Sequence, residues 1–233
     1  MTTAAEPIVA LDVPDRIGAE RLVAALGESC RFYKVGSQLF TAEGPAVVRW
    51  LRDRGCDVFL DLKFHDIPAT MRGAAASAAA LGVRLLTVHA SAGVEGVRAA
   101  VDGAGEGCGV LAVTVLTSFT SQEIAAVWGR PPAAGLDADV ARLAGIALEA
   151  GAHGIVCSGH ELESVRGQFG DRLAPLVPGI RLAGGAAHDQ ARVMTPAAAA
   201  AAGARYLVLG RAVTAATDPA AAMQAVREQL GAL

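Results

Sequence analysis

The sequence predicts an α/β fold, a single (β/α)8 TIM barrel running from residue 1 to residue 233. Three observations carry the prediction. Short apolar runs alternate with helical stretches eight times along the chain, the pattern of parallel strands joined by crossover helices. The 233 residues, 53% of them hydrophobic, are enough for one large core. No stretch reads as a linker, and an open sheet of eight strands would usually need a longer chain and leave two edges, which closure removes.

The first unit is the apolar run 8–12 and a helix over 16–26, with Ile17, Leu22, Val23 and Leu26 on one stripe. The second is the run 32–36 and a helix over 45–54 whose end Gly55 marks. In the third, 56–60 reads as a buried strand that continues into the charged stretch 61–70, where Pro68 starts an Ala-rich helix reaching Leu81-Gly82. Runs 85–90 and 94–101 make the fourth. The fifth strand, 110–116, precedes helical segments from Ser121 and over 137–150. Between these lie Trp128 and the Gly129-Arg130-Pro131-Pro132 break, a long connection able to fold over something. Strands over 154–158, 175–180 and 206–211, with helices near 159–169, 189–202 and 218–230, complete the eight. The Ala-rich 197–202 is an ordinary helix punctuated by Pro196 and Gly203. The run from Gly103 to Gly109 precedes a strand instead of linking a strand to a helix, so it reads as a flexible turn and not as a nucleotide loop.

Composition narrows the function. A formal net charge of -3 and an isoelectric point near 5.9 supply no basic field for nucleic acid, so an anionic ligand must be held by a few placed cations. The first seven residues lack a basic segment followed by an apolar one, and no apolar run is long enough to span a bilayer, which disfavours secretion and membrane insertion. Cys30, Cys56, Cys108 and Cys157 are dispersed, with no C-x-x-C pair, as in reduced buried thiols of a cytoplasmic protein. Cys157 and His160 have a ligand-like interval but no second pair, so no zinc site is expected.

A barrel of this kind carries its chemistry at the C-terminal ends of its strands. There the sequence places Asp12, Lys34, Asp61 with Lys63, His89, Thr117, Arg181 and the pair Gly210-Arg211. Strand alternation sends Asp61 and Lys63 to one side above Phe59, with Leu62 on the other face. Asp66 lies beyond the strand, on the loop or the first helical turn. Each has a plainer reading: a carboxylate at a strand end can cap the following helix, and a histidine beside Ala90 reads as a core histidine. The alternation of acid and base across the first three strands resists it, because four charges in a partly desolvated mouth are costly unless every one is paired.

The ordered set Ala10-Leu11-Asp12, Lys34-Val35-Gly36, Asp61-Leu62-Lys63-Phe64-His65-Asp66-Ile67-Pro68-Ala69-Thr70, Val113-Thr114-Val115-Leu116-Thr117-Ser118, Pro178-Gly179-Ile180-Arg181, Asp189-Gln190 and Gly210-Arg211 with Asp218-Pro219 resembles the orotidine 5′-phosphate decarboxylase family over almost the whole chain. The resemblance implies decarboxylation of orotidine 5′-phosphate to UMP and CO2, the last step of pyrimidine nucleotide synthesis, with no cofactor and no metal. It implies Lys63 as proton donor beside Asp61, Asp12 and Lys34 at the ribose, and Thr117 at the base. Arg181, Gln190, Gly210 and Arg211 are implied at the phosphate. It further implies a homodimer in which Asp66 and Thr70 reach the neighbouring subunit's site. His188 stands where an acidic residue is expected, and Leu182-Ala183-Gly184-Gly185 is one version of a variable loop. Two other readings share the barrel. Metal-dependent sugar-phosphate lyases, such as hexulose phosphate synthase, resemble it at Asp61-Leu62-Lys63 but carry a Glu on the second strand, where Lys34 here would repel magnesium. A barrel that only binds nucleotides would have little use for both Lys63 and its acidic partners.

Overall fold

Each apolar run pairs with the next in parallel, and the last pairs with the first. The computed structural model describes residues 5–131, 135–182 and 194–231. In it the strands form a closed barrel in sequence order, β1 through β8. β1 (Glu6–Ala10) leads to α1 (Arg16–Leu26), which starts where the Asp15 side chain accepts a hydrogen bond from the Gly18 N–H. β2 (Phe32–Gly36) is followed by α2 (Ser37–Glu43) and α3 (Pro45–Arg52), separated by Gly44 at φ 61°. Then come β3 (Asp57–Phe64) with α4 (Pro68–Ala80), and β4 (Leu85–His89) with α5 (Gly93–Ala104). β5 (Gly109–Val113) precedes α6 (Ser121–Val127) and α7 (Asp137–Glu149). β6 (Gly154–Val156), α8 (Leu162–Phe169), β7 (Ala174–Val177), α9 (Pro196–Ala201), β8 (Tyr206–Leu209), α10 (Arg211–Thr214) and α11 (Pro219–Gln229) close the ring.

Period-two alternation divides the apolar residues into two layers. Ile8, Phe32, Phe59, Leu85, Leu111, Leu176 and Tyr206 point into the barrel and fill it. The alternate residues, among them Val9, Tyr33, Val58, Leu60, Leu86 and Leu207, pack outward against the helices. The N-terminal end is clamped by Arg84, whose guanidinium donates to both Glu6 carboxylate oxygens at 2.7 Å and to Asp57 at 3.0 Å, tying three strands together. All four cysteines are free and buried, and burial raises the Cys108 thiol to about 11. No helix among the described residues is long and apolar enough to cross a membrane.

The structure differs from expectation at several element ends. α2 fills a stretch read as a connection, because a seven-residue helix burying only Leu39 leaves no period to detect. Strands β5, β6, β7 and β8 stop two to three residues before the apolar runs do, as the chain turns off the ladder to build the mouth. There Thr114 donates to the Val156 carbonyl through both N–H (3.2 Å) and hydroxyl (2.8 Å). Arg211 accordingly opens a helix and does not end a strand. Gly103 is not part of a flexible turn either. It lies in α5, where an added Cβ would sit 2.2 Å from the Arg72 carbonyl oxygen of α4, so the two helices touch backbone to backbone.

That contact sets a test of the packing. Gly103→Ala must separate α4 from α5 and is expected to cost about 1–3 kcal/mol. Gly107→Ala, whose Cβ meets nothing within 4 Å, should stay within about 0.5 kcal/mol. Urea unfolding midpoints of the two variants check this.

Candidate active site

The strand ends enclose a cavity of about 150 Å³ with two unlike walls. Lys34, Asp61 and Lys63 line one side, Val113, Val156, Leu176 and Val208 the other, and Thr117 and Pro178 stand at the rim. A flat, partly apolar molecule carrying a charged substituent suits such a space.

β3 makes the charged wall by breaking its own regularity. Leu60 pairs with Leu86 and Phe64 with Val88, so four steps along β3 meet two along β4. An excess of two residues preserves alternation: Leu60, Leu62 and Phe64 still pack outward, while Phe59, Asp61 and Lys63 face the cavity. Asp61 and Lys63 are therefore neighbours, as the sequence predicts, but across a bulge and not a straight strand. Lys63 has φ 50°, the single positive value at a non-glycine among the described residues. A left-handed long side chain costs on the order of 1–3 kcal/mol and persists where its surroundings hold it. Here the Lys63 N–H donates to Thr87 Oγ1 at 2.9 Å, and Nζ donates to both Asp61 oxygens at 2.8 and 2.9 Å.

The charges form a chain. Lys34 Nζ donates to Asp12 Oδ1 at 2.8 Å and lies 3.7 Å from Asp61 Oδ2, so Asp61 sits between two ammonium groups. The Lys34 and Asp61 side chains are only 11% and 12% exposed, against 63% for Asp12. Gly36 leaves room for this: a Cβ there would stand 3.0 Å from Lys34 Nζ and 3.4 Å from Asp12 Oδ1. His89 is not the core histidine of the plainer reading. It is half-buried at the mouth, its ring centroid 5.4 Å from that of His65. Burial first, then the positive potential of His65 and Lys63, push it below the usual imidazole range, with Asp61 opposing.

The other predicted residues follow the strands, on the loops and helix starts beyond them. Asp66 is exposed on the loop after β3, where its carboxylate accepts from the adjacent Ile67 N–H at 2.7 Å, and Thr70 is exposed in the first turn of α4. Arg181 follows β7, with its N–H donating to the Met194 carbonyl at 3.0 Å. Gly210 and Arg211 follow β8, Arg211 exposed. Gln190 lies outside the described residues, as do Asp189 and His188. Two features went unread. Thr87 contacts both Lys63 and Asp61, and the alternation of Leu85, Thr87 and His89 would have placed it inward. The chain also has only two lysines, Lys34 and Lys63, against eighteen arginines, and both are in the cavity. Among the described residues, no three His, Cys, Asp or Glu side chains gather closely enough to hold a metal ion.

Residues 6–226 match the family model described as "Orotidine 5'-phosphate decarboxylase / HUMPS family". The chain belongs to this family. Among curated members named orotidine 5′-phosphate decarboxylase, that of Anaeromyxobacter dehalogenans (strain 2CP-1) is 54% identical over 218 residues, covering 93% of this chain and 94% of that protein. That of Thermobifida fusca (strain YX) is 50% identical over 228 residues, covering 97% and 96%. The crystal structure of orotidine 5′-phosphate decarboxylase from Lactobacillus acidophilus superposes with a TM-score of 0.87 at 33% identity, covering 98% of this chain and 99% of that one. On the second strand, where the metal-dependent reading expects a Glu, the chain has Lys34, and its ammonium is engaged by Asp12 and Asp61.

The His89 environment predicts a pH dependence. Its folded pKa lies below the unfolded value of ~6.5, so the unfolded chain takes up the proton first. Stability present above that value is lost as pH falls through the folded pKa. His89→Gln should therefore lose less of its thermal midpoint than wild type between pH 7.5 and 5.5. Part of the dependence remains, because His153, partly desolvated against Tyr206 and facing the positive charge of Arg205 and Arg84, is shifted in the same direction.

Proposed function

We propose that this chain decarboxylates orotidine 5′-phosphate to UMP and CO2, the closing step of de novo pyrimidine nucleotide synthesis, with Lys63 as the proton donor. The observation that carries the proposal is the Lys63 ammonium held at 2.8 Å from Asp61 in a cavity whose opposite wall is apolar. Breaking the bond between C6 and its carboxylate leaves the electron pair in an in-plane orbital that the ring carbonyls cannot delocalise. A fixed cation beside C6 stabilises that pair, and one N–H of the same ammonium becomes the new C6–H. The resulting neutral amine regains a proton from water. Neither cofactor nor metal is part of the proposal.

The neighbours take supporting roles. Asp61 aligns the ammonium and lies beside the leaving carboxylate, while Lys34 keeps the Asp61 charge compensated and, with Asp12, meets the ribose hydroxyls. Thr117 at the rim faces the base. Arg181, Gln190, Gly210 and Arg211 take the phosphate beyond β7 and β8, where barrels commonly bind it. Binding energy from that remote group organises the charges, so a substrate without phosphate loses turnover as well as affinity. The proposal includes a homodimer. Asp66 and Thr70 are exposed, with Ile67 between them 66% exposed, a suitable lip for covering a second copy's cavity. A cytoplasmic location accords with four reduced, buried thiols, and residues 1–233 act as one barrel unit.

Purified protein incubated with orotidine 5′-phosphate in excess EDTA should form UMP at an undiminished rate, and Lys63→Ala in the same assay should lose at least ~10⁴-fold in kcat. Loss of wild-type turnover in EDTA with recovery on magnesium addition would favour a metal-dependent lyase, and near-normal turnover by Lys63→Ala would remove that residue from the mechanism. For the dimer, mixing Lys63→Ala with Asp66→Ala protein should regenerate activity once subunits exchange. No recovery after demonstrated exchange overturns the shared site.

A further inference from the structure

We infer that Thr87 is a positioning residue for the decarboxylation, one hydroxyl that holds the backbone of Lys63 and the carboxylate of Asp61 together and thereby sets where the ammonium lies. The inference rests on the function proposed for Lys63. Thr87 is in the middle of β4, 1% exposed, and faces inward between Leu85 and His89. Its Oγ1 accepts from the Lys63 N–H at 2.9 Å and lies 2.9 Å from Asp61 Oδ1. The direction of both bonds is forced. An amide N–H can only donate and a carboxylate can only accept, so the single hydroxyl hydrogen points at Asp61.

The need for this hydroxyl arises from the bulge. Where β3 runs two residues long against β4, the Lys63 N–H leaves the regular ladder, and a buried backbone donor must find another acceptor. Thr87 supplies it at the residue with φ 50°. The same oxygen anchors the far end of the pair, because Asp61 Oδ1 receives Thr87 as well as Lys63 Nζ, while Oδ2 faces Lys63 and Lys34. Backbone and side chain of Lys63 are thus located from one atom, and without it the carboxylate is free to turn and carry the ammonium with it. A valine would fill the same volume and offer neither bond. A serine would keep both.

The test compares Thr87→Val and Thr87→Ser with wild type. Valine should lower kcat ~10²-fold or more, the scale of a misplacement near 1 Å, with KM for orotidine 5′-phosphate changed less than about threefold, and serine should return kcat to within about tenfold of wild type. A second readout does not depend on turnover. With two lysines in the chain, reductive methylation followed by peptide mass spectrometry reports Lys63 directly, and it should be modified faster in Thr87→Val than in wild type or Thr87→Ser. If valine prevents folding, Thr87→Ala takes its place. Equal kcat in valine and wild type, equal loss in serine and valine, or equal methylation in all three overturns the inference. A wild type that makes no UMP but still shows the methylation difference would overturn the proposed reaction and leave the positioning role standing.

Discussion

One carboxylate organises this molecule's working end. Asp61 has an ammonium on each side and a hydroxyl donor on its inner oxygen, and it is almost out of reach of water. A desolvated anion is tolerable only when its partners are complete, since removing one leaves a buried charge uncompensated. The partners come from β2, β3 and β4, three strands whose relative heights are locked by barrel closure. Closure of the sheet is therefore a requirement of the charge cluster as well as of the core.

The cavity is asymmetric although the barrel is not. Inward positions at the ends of β2 and β3 carry charge, while those of β5 through β8 carry valine and leucine. An apolar wall opposite an ammonium lowers the local dielectric response, so the fixed charges act on a reacting atom with less screening than water would impose. A carboxylate leaving as CO2 goes from a charged species to an apolar one, and such a wall favours the product of that change.

Much of this was legible because two periods are printed in the chain. Alternation along 56–63 turns Asp61 and Lys63 the same way, and the eightfold recurrence of apolar runs identifies the barrel. The remaining features lack a sequence signature of their own. Thr87 is an ordinary strand residue until the bulge opposite it removes a ladder partner, and the positive φ of Lys63 is a product of that register. α2 is too short for a helical period, and Gly103 looked like loop glycine because the close approach of Arg72 comes from another helix. The two-lysine composition was available from the start: with arginine serving nearly every other cationic position, the ammonium groups that remain are the ones whose proton can be given up.

The bulge in β3 has an arithmetical consequence for how this segment can change over generations. Side chains alternate with a period of two, so an excess of two residues raises the charged pair into the mouth without exchanging inside for outside. A one-residue gain or loss directly after Leu60, with alternation otherwise unbroken, would turn Asp61 and Lys63 toward the helices and Leu62 toward the cavity.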